Sequence, residues 1–145
     1  LYINSSDSIV NILDTINKYN LATLVKMHDY VPHSEAISKM VDADLLLLLI
    51  PDTKYNEGII TGKLFEYLAT RNFILTIGPP NGDVAEITRE TESGKVVDYN
   101  DDPSNIILDE IERWKKKEKL HINEEALSKF TRRSTTQKLS QILSD

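Results

Sequence analysis

The chain has 145 residues, the usual size of one domain with a single core, and its 40% hydrophobic and 28% charged residues are typical of a globular protein. The net charge of −6 argues against a general nucleic-acid binder, because a phosphate backbone requires a basic face. The absence of cysteine excludes disulfides and thiolate metal sites, and it fits a cytoplasmic protein.

The first forty residues predict two helices and two strands. Residues 1–3 are interpreted as the end of a strand, and Ser6 opens a capping segment followed by apolar residues at helical spacing. Residues 23–28 (TLVKMH) predict a strand. Pro32 then breaks the chain, and Ser34 is expected to cap a short helix.

The most apolar run is LLLLLI at residues 45–50, which is followed by Pro51. A strand with one wet face alternates polar and apolar residues, so a continuous run predicts a central strand buried on both faces. A polar loop follows, and residues 61–71 predict a helix. Residues 73–77 predict another strand, closed by the turn-forming segment 78–82.

The last part of the chain alternates less regularly and ends in helices. Asp83 and Glu86 form a possible capping pair, and residues 95–97 predict a short strand. Three helices are predicted beyond residue 103. The alternation of strands and helices predicts a three-layer α/β, Rossmann-like domain with a parallel sheet. The helices at residues 120–145 are expected to pack on the outside or toward another domain.

The loop after the apolar run has the strongest chemical signal. Open parallel sheets bind ligands at the carboxyl ends of their strands. Thr61 can cap the following helix, Gly62 exposes backbone, and Lys63 places an ammonium in the first turn. Helix N–H groups, the helix dipole and a cation together favour an anion such as a diphosphate. Glu66, one turn later, can accept two hydrogen bonds from the hydroxyls of a ribose.

These residues lie in a stretch with a recognisable pattern. VPHSEAISKMVDADLLLLLI, TGKLFEYLA and IGPPNGDVAEI resemble the donor-binding domain of glycosyltransferase family 4 and related two-Rossmann (GT-B) enzymes. The resemblance covers most of the chain and is weakest beyond about residue 103. It implies that residues 1–145 are one nucleotide-sugar-binding domain, and that an N-terminal acceptor domain is absent from a fragment beginning at Leu1.

The resemblance implies a role for an acidic pair separated by seven residues. Glu66 matches the second member, which binds the ribose. Eight positions earlier lies Gly58, whereas the acidic residue Glu57 lies nine positions earlier. Either the loop has one extra residue or the sugar is contacted differently. Glu57 and Gly58 are therefore both candidate donor contacts.

By the same resemblance, Thr61, Gly62 and Lys63 fall where backbone amides approach the diphosphate, and Tyr30 and Val31 fall in the loop that lines the base. The basic pair that binds phosphate in this family has no match here, and no catalytic residue is identified. The resemblance implies a UDP- or GDP-linked sugar as donor substrate, with no cofactor and no metal.

The implied reaction is transfer of the sugar to an acceptor hydroxyl with retained anomeric configuration, as in polysaccharide biosynthesis, with the isolated fragment inactive. Alternatives are a sugar-nucleotide 2-epimerase, a non-catalytic nucleotide-binding or regulatory α/β domain, and, less well matched, a flavodoxin-like or receiver domain. Glu66 and Lys63 can also be explained as solvated helix residues. The run RWKKKEK at residues 113–119 fits a solvated helix face, or contact with the inner membrane face.

Overall fold

The computed structural model describes residues 6–144, with side chains from residue 12 onward. The strand predicted at residues 1–3 lies outside this range. The chain divides into two compact units, Leu1–Ser38 and Lys39–Asp145. The described helices are α1 (Ser6–Lys18), α2 (His33–Val41), α3 (Gly62–Thr70), α4 (Asp83–Thr91), α5 (Ser104–Lys115), α6 (Glu124–Ser128) and α7 (Arg132–Ile142). The described strands are β1 (Leu45–Leu49), β2 (Phe73–Ile77) and β3 (Gly94–Val97).

The first unit contains α1, as predicted, but the strand predicted at residues 23–28 is wrong. That segment is a turn followed by irregular chain. The amides of Leu24 and Val25 both donate to the carbonyl of Leu21, so local turn bonds occupy groups that a strand would offer to a neighbour. Helix α2 begins one residue before Ser34, which therefore lies inside the helix and does not precede it as a cap.

The second unit is built on a three-stranded parallel sheet in the order β1-β2-β3. Each strand is followed by a helix, because consecutive parallel strands need a crossover connection. The predicted α/β class and parallel sheet are confirmed. Strand β2 has the predicted bounds, and β3 is one residue longer at its start than predicted.

Helices cover both faces of this sheet. One apolar cluster joins Leu48 and Ile74 of the sheet to α3, α4 and α6, and its buried members are Leu48, Ile50, Leu64, Leu68, Ile74, Val84, Ile87 and Leu127. A second cluster on the other face joins Phe73, Leu75 and Val97, with Ile106 of α5 packed against it. Helices on two faces of one sheet give the predicted three-layer arrangement.

The prediction that the LLLLLI strand is buried on both faces is wrong. Leu46 and Leu48 are buried, but Leu47 and Leu49 are 40% and 59% exposed. Within the described chain β1 pairs with β2 alone and so forms an edge of the sheet. The apolar cluster on the face that carries Leu47 and Leu49 is centred on β2 and β3. It therefore does not cover these two leucines of β1.

Two predicted helix caps also differ from the structure. Gly82 occupies the cap position of α4, without a side-chain bond, and Asp83 and Glu86 lie in the first turn. Thr61 occupies the predicted cap position of α3, but its hydroxyl makes no capping hydrogen bond. Among the described residues, no helix has the length and apolar character needed to cross a membrane.

The start of α5 provides a pH-dependent contribution to stability. One carboxylate oxygen of Asp102 accepts hydrogen bonds from the amide and hydroxyl of Ser104, and these bonds lower the pKa of Asp102. A carboxyl whose pKa is depressed by folding stabilises the fold above its unfolded pKa. We expect Asp102→Ala to lower the free energy of unfolding at neutral pH. The deficit should shrink as the pH falls through the folded pKa of Asp102, which urea unfolding at a series of pH values would measure.

Candidate functional site

The three strands end at one edge of the sheet, and the loops that follow them lie together there. The ladder continues one residue past each of the first two strands, since Ile50 donates to the carbonyl of Ile77 at 2.9 Å and Gly78 to that of Val97 at 3.0 Å. The loops at residues 51–61, 78–82 and 98–103 therefore share this carboxyl edge. It is the edge at which open parallel sheets bind ligands.

A polar clamp joins the first and third of these loops. The side-chain amide of Asn56 donates to the hydroxyl of Tyr99 at 2.9 Å and to the carbonyl of Pro51 at 3.3 Å. The Tyr99 hydroxyl donates in turn to the same carbonyl at 3.1 Å. Desolvation raises the pKa of Tyr99, and the carboxylates of Asp52 and Asp98 raise it further, although the bond from Asn56 opposes them. The phenol therefore keeps its proton at neutral pH and remains a donor.

The first and second loops are joined by close backbone contact. Residues 56–58 form a short 3-10 helix that carries Glu57 and Gly58. A Cβ added to Gly82 would lie 2.8 Å from the carbonyl oxygen of Glu57 and 3.0 Å from the Pro79 ring. Only glycine allows the start of α4 to approach the loop this closely. The backbone of Glu57 is therefore fixed, while its side chain and Gly58 are exposed.

Helix α3 begins at this edge, directly after Thr61, whose backbone is extended. Thr61 has φ −91 and ψ 148, and its hydroxyl is enclosed without a hydrogen-bond partner. Leu64 and Leu68, four residues apart, are buried against the sheet. Their burial fixes the axis of the helix, so that its amino end is held at the strand ends.

The amino end of α3 has free donors and open space. The amide of Leu64 donates to the Thr61 carbonyl at 3.1 Å, but the structure records no acceptor for the amides of Gly62 and Lys63. A Cβ added to Gly62 would meet nothing within 4 Å. The side chain of Lys63 is exposed. The first turn of α3 has no acidic residue, so no side chain of that turn neutralises the positive end of the helix dipole.

The other helix that starts at this edge differs in charge. Helix α4 has Asp83 and Glu86 in its first turn. These carboxylates already complement the helix dipole, and they would repel a second anion. An anion at this edge is therefore favoured at α3 over α4.

Glu66 lies on the same side of α3 as Lys63, because residues three apart are neighbours on a helix. Its side chain is exposed, and no salt bridge between Lys63 and Glu66 is recorded. From the rise per residue it lies about 6 Å along the axis from Gly62. This side of α3 thus presents donors, a cation and a carboxylate in order from its amino end.

The remaining predicted contacts, Tyr30 and Val31, belong to the first unit. They lie in irregular chain immediately before α2, and Tyr30 is 89% exposed. Their contact with the nucleotide base stays a prediction. Sequence reasoning missed Tyr55, whose ring is 80% exposed beside the short 3-10 helix. It has a left-handed backbone, φ 65, and the ammonium of Lys54 lies 4.8 Å from its ring centroid.

Two cavities lie in the second unit. A groove of about 720 Å³ is found at the amino-terminal edge of the sheet, where Ala43, Asn72 and Trp114 are among its lining residues. A smaller one of about 260 Å³ lies at the carboxyl edge, where Ile60 from the loop before α3, Asp83 and Glu86 from the first turn of α4, and Phe130 are among its lining residues. Lys63 and Glu66 line neither of these two cavities, and both side chains are exposed.

Comparison of the chain with protein-family models, with curated proteins and with solved structures gave no match. Among the described residues, no group of three or more His, Asp and Glu side chains is arranged to hold a metal ion.

Proposed function

We propose that this chain is the donor-binding domain of a GT-B glycosyltransferase, which binds a UDP- or GDP-linked sugar for transfer to an acceptor hydroxyl. The observation that carries the proposal is the amino end of α3. This helix end lies at the carboxyl edge of a parallel sheet and has the free amides of Gly62 and Lys63 and the exposed ammonium of Lys63. Its first turn contains no acidic residue.

In this proposal the diphosphate occupies the open space beside Gly62. The two amides donate to its oxygens, and the ammonium of Lys63 supplies a charge-assisted hydrogen bond. Breaking the bond between sugar and diphosphate increases the negative charge on the leaving group. Donors already in place for that charge stabilise the transition state more than the ground state.

Glu66 is proposed to bind the ribose. An ionised carboxylate accepts hydrogen bonds through two oxygens, which suits the two adjacent hydroxyls of the ring. Its exposure and its place one turn beyond Lys63 support this role. Glu57 is proposed to contact the sugar from the neighbouring loop, because Gly82 holds its backbone at this edge.

The open side of the site is proposed to be closed by a second, acceptor-binding domain. A donor held on one wall alone has little of its surface buried, whereas ligand sites usually enclose most of theirs. We therefore expect this chain alone to bind a nucleoside diphosphate weakly and to transfer no sugar.

Calorimetric titration with UDP, GDP and inorganic phosphate tests the proposal. Lys63→Ala and Glu66→Ala should each weaken binding of the preferred nucleoside diphosphate by about 1–3 kcal/mol, the cost of a lost charged hydrogen bond. That corresponds to about a 5- to 150-fold rise in Kd. Lys138→Ala and Glu90→Ala change the same residue types at exposed positions on other helices and should leave the affinity unchanged. Equal affinities for wild type and both site variants would contradict the proposal.

Gly62→Ala should separate stability from binding. Alanine at the first position of α3 meets no atom within 4 Å and restricts the unfolded chain, so we expect stability to rise by about 0.4–1 kcal/mol. The added methyl would enter the space proposed for the diphosphate and should weaken nucleotide binding. Thermal unfolding and the same titration measure the two effects. A variant that is more stable and binds as well as wild type would place the anion elsewhere.

A further inference from the structure

Helix α5 has an apolar stripe that the fold leaves uncovered. Ile107, Ile111 and Trp114 recur at helical spacing and therefore lie on one side of the helix, with Leu108 next to them. These side chains are 37%, 41%, 59% and 58% exposed, respectively. None of the residues of α5 is buried. An apolar stripe at helical spacing usually faces a hydrophobic core. In α5 this stripe faces solvent instead.

The uncovered stripe results from the way α5 packs. Its sheet-facing side consists of Ile106, which packs on the second apolar cluster, and of the half-buried Glu110 and Arg113. Arg113 donates through Nε to the carboxylate of Glu110 at 2.7 Å. Ile106 and this ion pair take up the side of α5 that faces the sheet. The apolar stripe lies on a neighbouring side of the helix, which faces solvent.

Lysines are concentrated beside the stripe. Five of the seven residues at 113–119 are Lys or Arg. Arg113 and Lys115 have carboxylate partners one turn earlier in α5. Within the described chain, no salt bridge is recorded for Lys116, Lys117 or Lys119, and all three side chains are exposed.

Two of these lysines, Lys117 and Lys119, line the same groove as Trp114. Lys117 has a left-handed φ of 56, and its amide donates to the carbonyl of Trp114 at 3.0 Å. The amide of Glu118 donates to the carbonyl of Arg113 at 3.1 Å. This pair of bonds is the Schellman arrangement that ends many helices, and it turns the chain sharply after Lys116. After this turn Lys117, Glu118 and Lys119 lie beside Trp114 at the end of the apolar stripe.

We propose that the surface formed by Leu108, Ile111, Trp114, Lys117 and Lys119 binds an anionic lipid bilayer. Tryptophan favours the boundary between headgroups and acyl chains, where its ring is buried and its N–H stays hydrated. Lysines beside apolar side chains add attraction to anionic headgroups. Charge complementarity selects this occupant: although the chain as a whole is acidic at −6, five of the seven residues at 113–119 beside the stripe are basic.

The proposed surface is separate from the proposed donor site. Helices that follow parallel strands run back across the sheet, so α5 ends at the amino-terminal edge, where Trp114 lines the groove beside Ala43 and Asn72. Contact with a bilayer at that edge leaves the carboxyl edge accessible. The lipid proposal therefore does not depend on the function proposed above.

Trp114 is the only tryptophan of the chain and so reports on this surface directly. Its emission should be measured with neutral phosphatidylcholine vesicles and with vesicles containing phosphatidylglycerol. We expect a blue shift and quenching by brominated lipid with the anionic vesicles, reversed by high salt. No change with anionic vesicles, or an equal change with both kinds, would overturn the proposal. A shift on addition of UDP or GDP but not of vesicles would also overturn it, in favour of a small ligand in the groove.

Charge-reversal variants test the lysines. The double variant Lys117→Glu, Lys119→Glu should lower co-sedimentation with anionic vesicles at least tenfold. The matched control Lys129→Glu, Lys138→Glu makes the same change in net charge just after α6 and on α7, and should bind as wild type does. Ile111→Asn should weaken binding without changing the charge. Circular dichroism checks that each variant is folded. If the control pair lost as much vesicle binding, the interaction would depend only on the net charge of the chain, which would contradict the assigned surface.

Discussion

Gly94→Ala is expected to destabilise the second unit severely, by about 3 kcal/mol or more. A Cβ at this position would lie 1.9 Å from the carbonyl oxygen of Ile74 and 2.7 Å from its carbonyl carbon. Both atoms belong to the backbone of the central strand, so no side chain can move aside to relieve the clash. Strands β2 and β3 would have to separate where they pair. Urea unfolding followed by circular dichroism would measure the loss.

Gly62→Ala is the matched control for this substitution, because a Cβ there meets no atom within 4 Å. The two variants make the same chemical change, one at a close approach of two strands and one in open space. If Gly94→Ala unfolds at the same urea concentration as wild type, the pairing of β2 with β3 cannot have the geometry described here.

Leu64→Ala is expected to cost about 2–5 kcal/mol, the range for emptying a buried leucine site. Leu64 is 0% exposed and joins α3 to the cluster around Leu48 and Ile74. Its loss leaves a cavity and removes the contact that fixes the axis of α3. Since the proposed anion site is the amino end of this helix, nucleotide binding should also weaken. Denaturant unfolding and the titration with nucleoside diphosphate measure the two effects.

Leu108→Ala is the control for Leu64→Ala. Leu108 is 58% exposed on α5, so the same truncation there should change stability by no more than about 0.5 kcal/mol. Similar losses in the two variants would contradict the packing assigned to α3.

The second unit was largely predictable because its signals are local. Residues 73–77 combine a short apolar run with flanking breakers, and β2 has those bounds. The burial of β1 was not predictable in the same way. A run of leucines shows that the strand is apolar, but not whether a neighbour covers each face, and Leu47 and Leu49 are exposed because β1 is an edge of the described sheet. Residues 23–28 have strand-forming side chains but form a turn that closes on Leu21.

In the candidate site, too, the features that depend on neighbouring residues were predictable and those that depend on tertiary contacts were not. The amino end of α3 follows from Thr61, Gly62 and Lys63 at adjacent positions, and its location at the carboxyl edge agrees with the prediction. The clamp between Asn56 and Tyr99 joins residues 43 apart, and no local pattern marks such a pair. The approach of Gly82 to Glu57 is likewise a tertiary contact, which the sequence shows only as a glycine in a turn.

An amide NMR titration of the chain with UDP and GDP tests the proposed anion site at the amino end of α3. We expect the largest shifts, for whichever nucleotide binds, at the amides of Gly62 and Lys63, with smaller ones at Glu66 and Glu57. Inorganic phosphate should shift the first two and leave Glu66 unchanged, since it has no ribose. Saturable nucleotide binding that leaves Gly62 and Lys63 unshifted, or that shifts Trp114 and the other residues of its groove instead, would show that the donor does not bind at the amino end of α3.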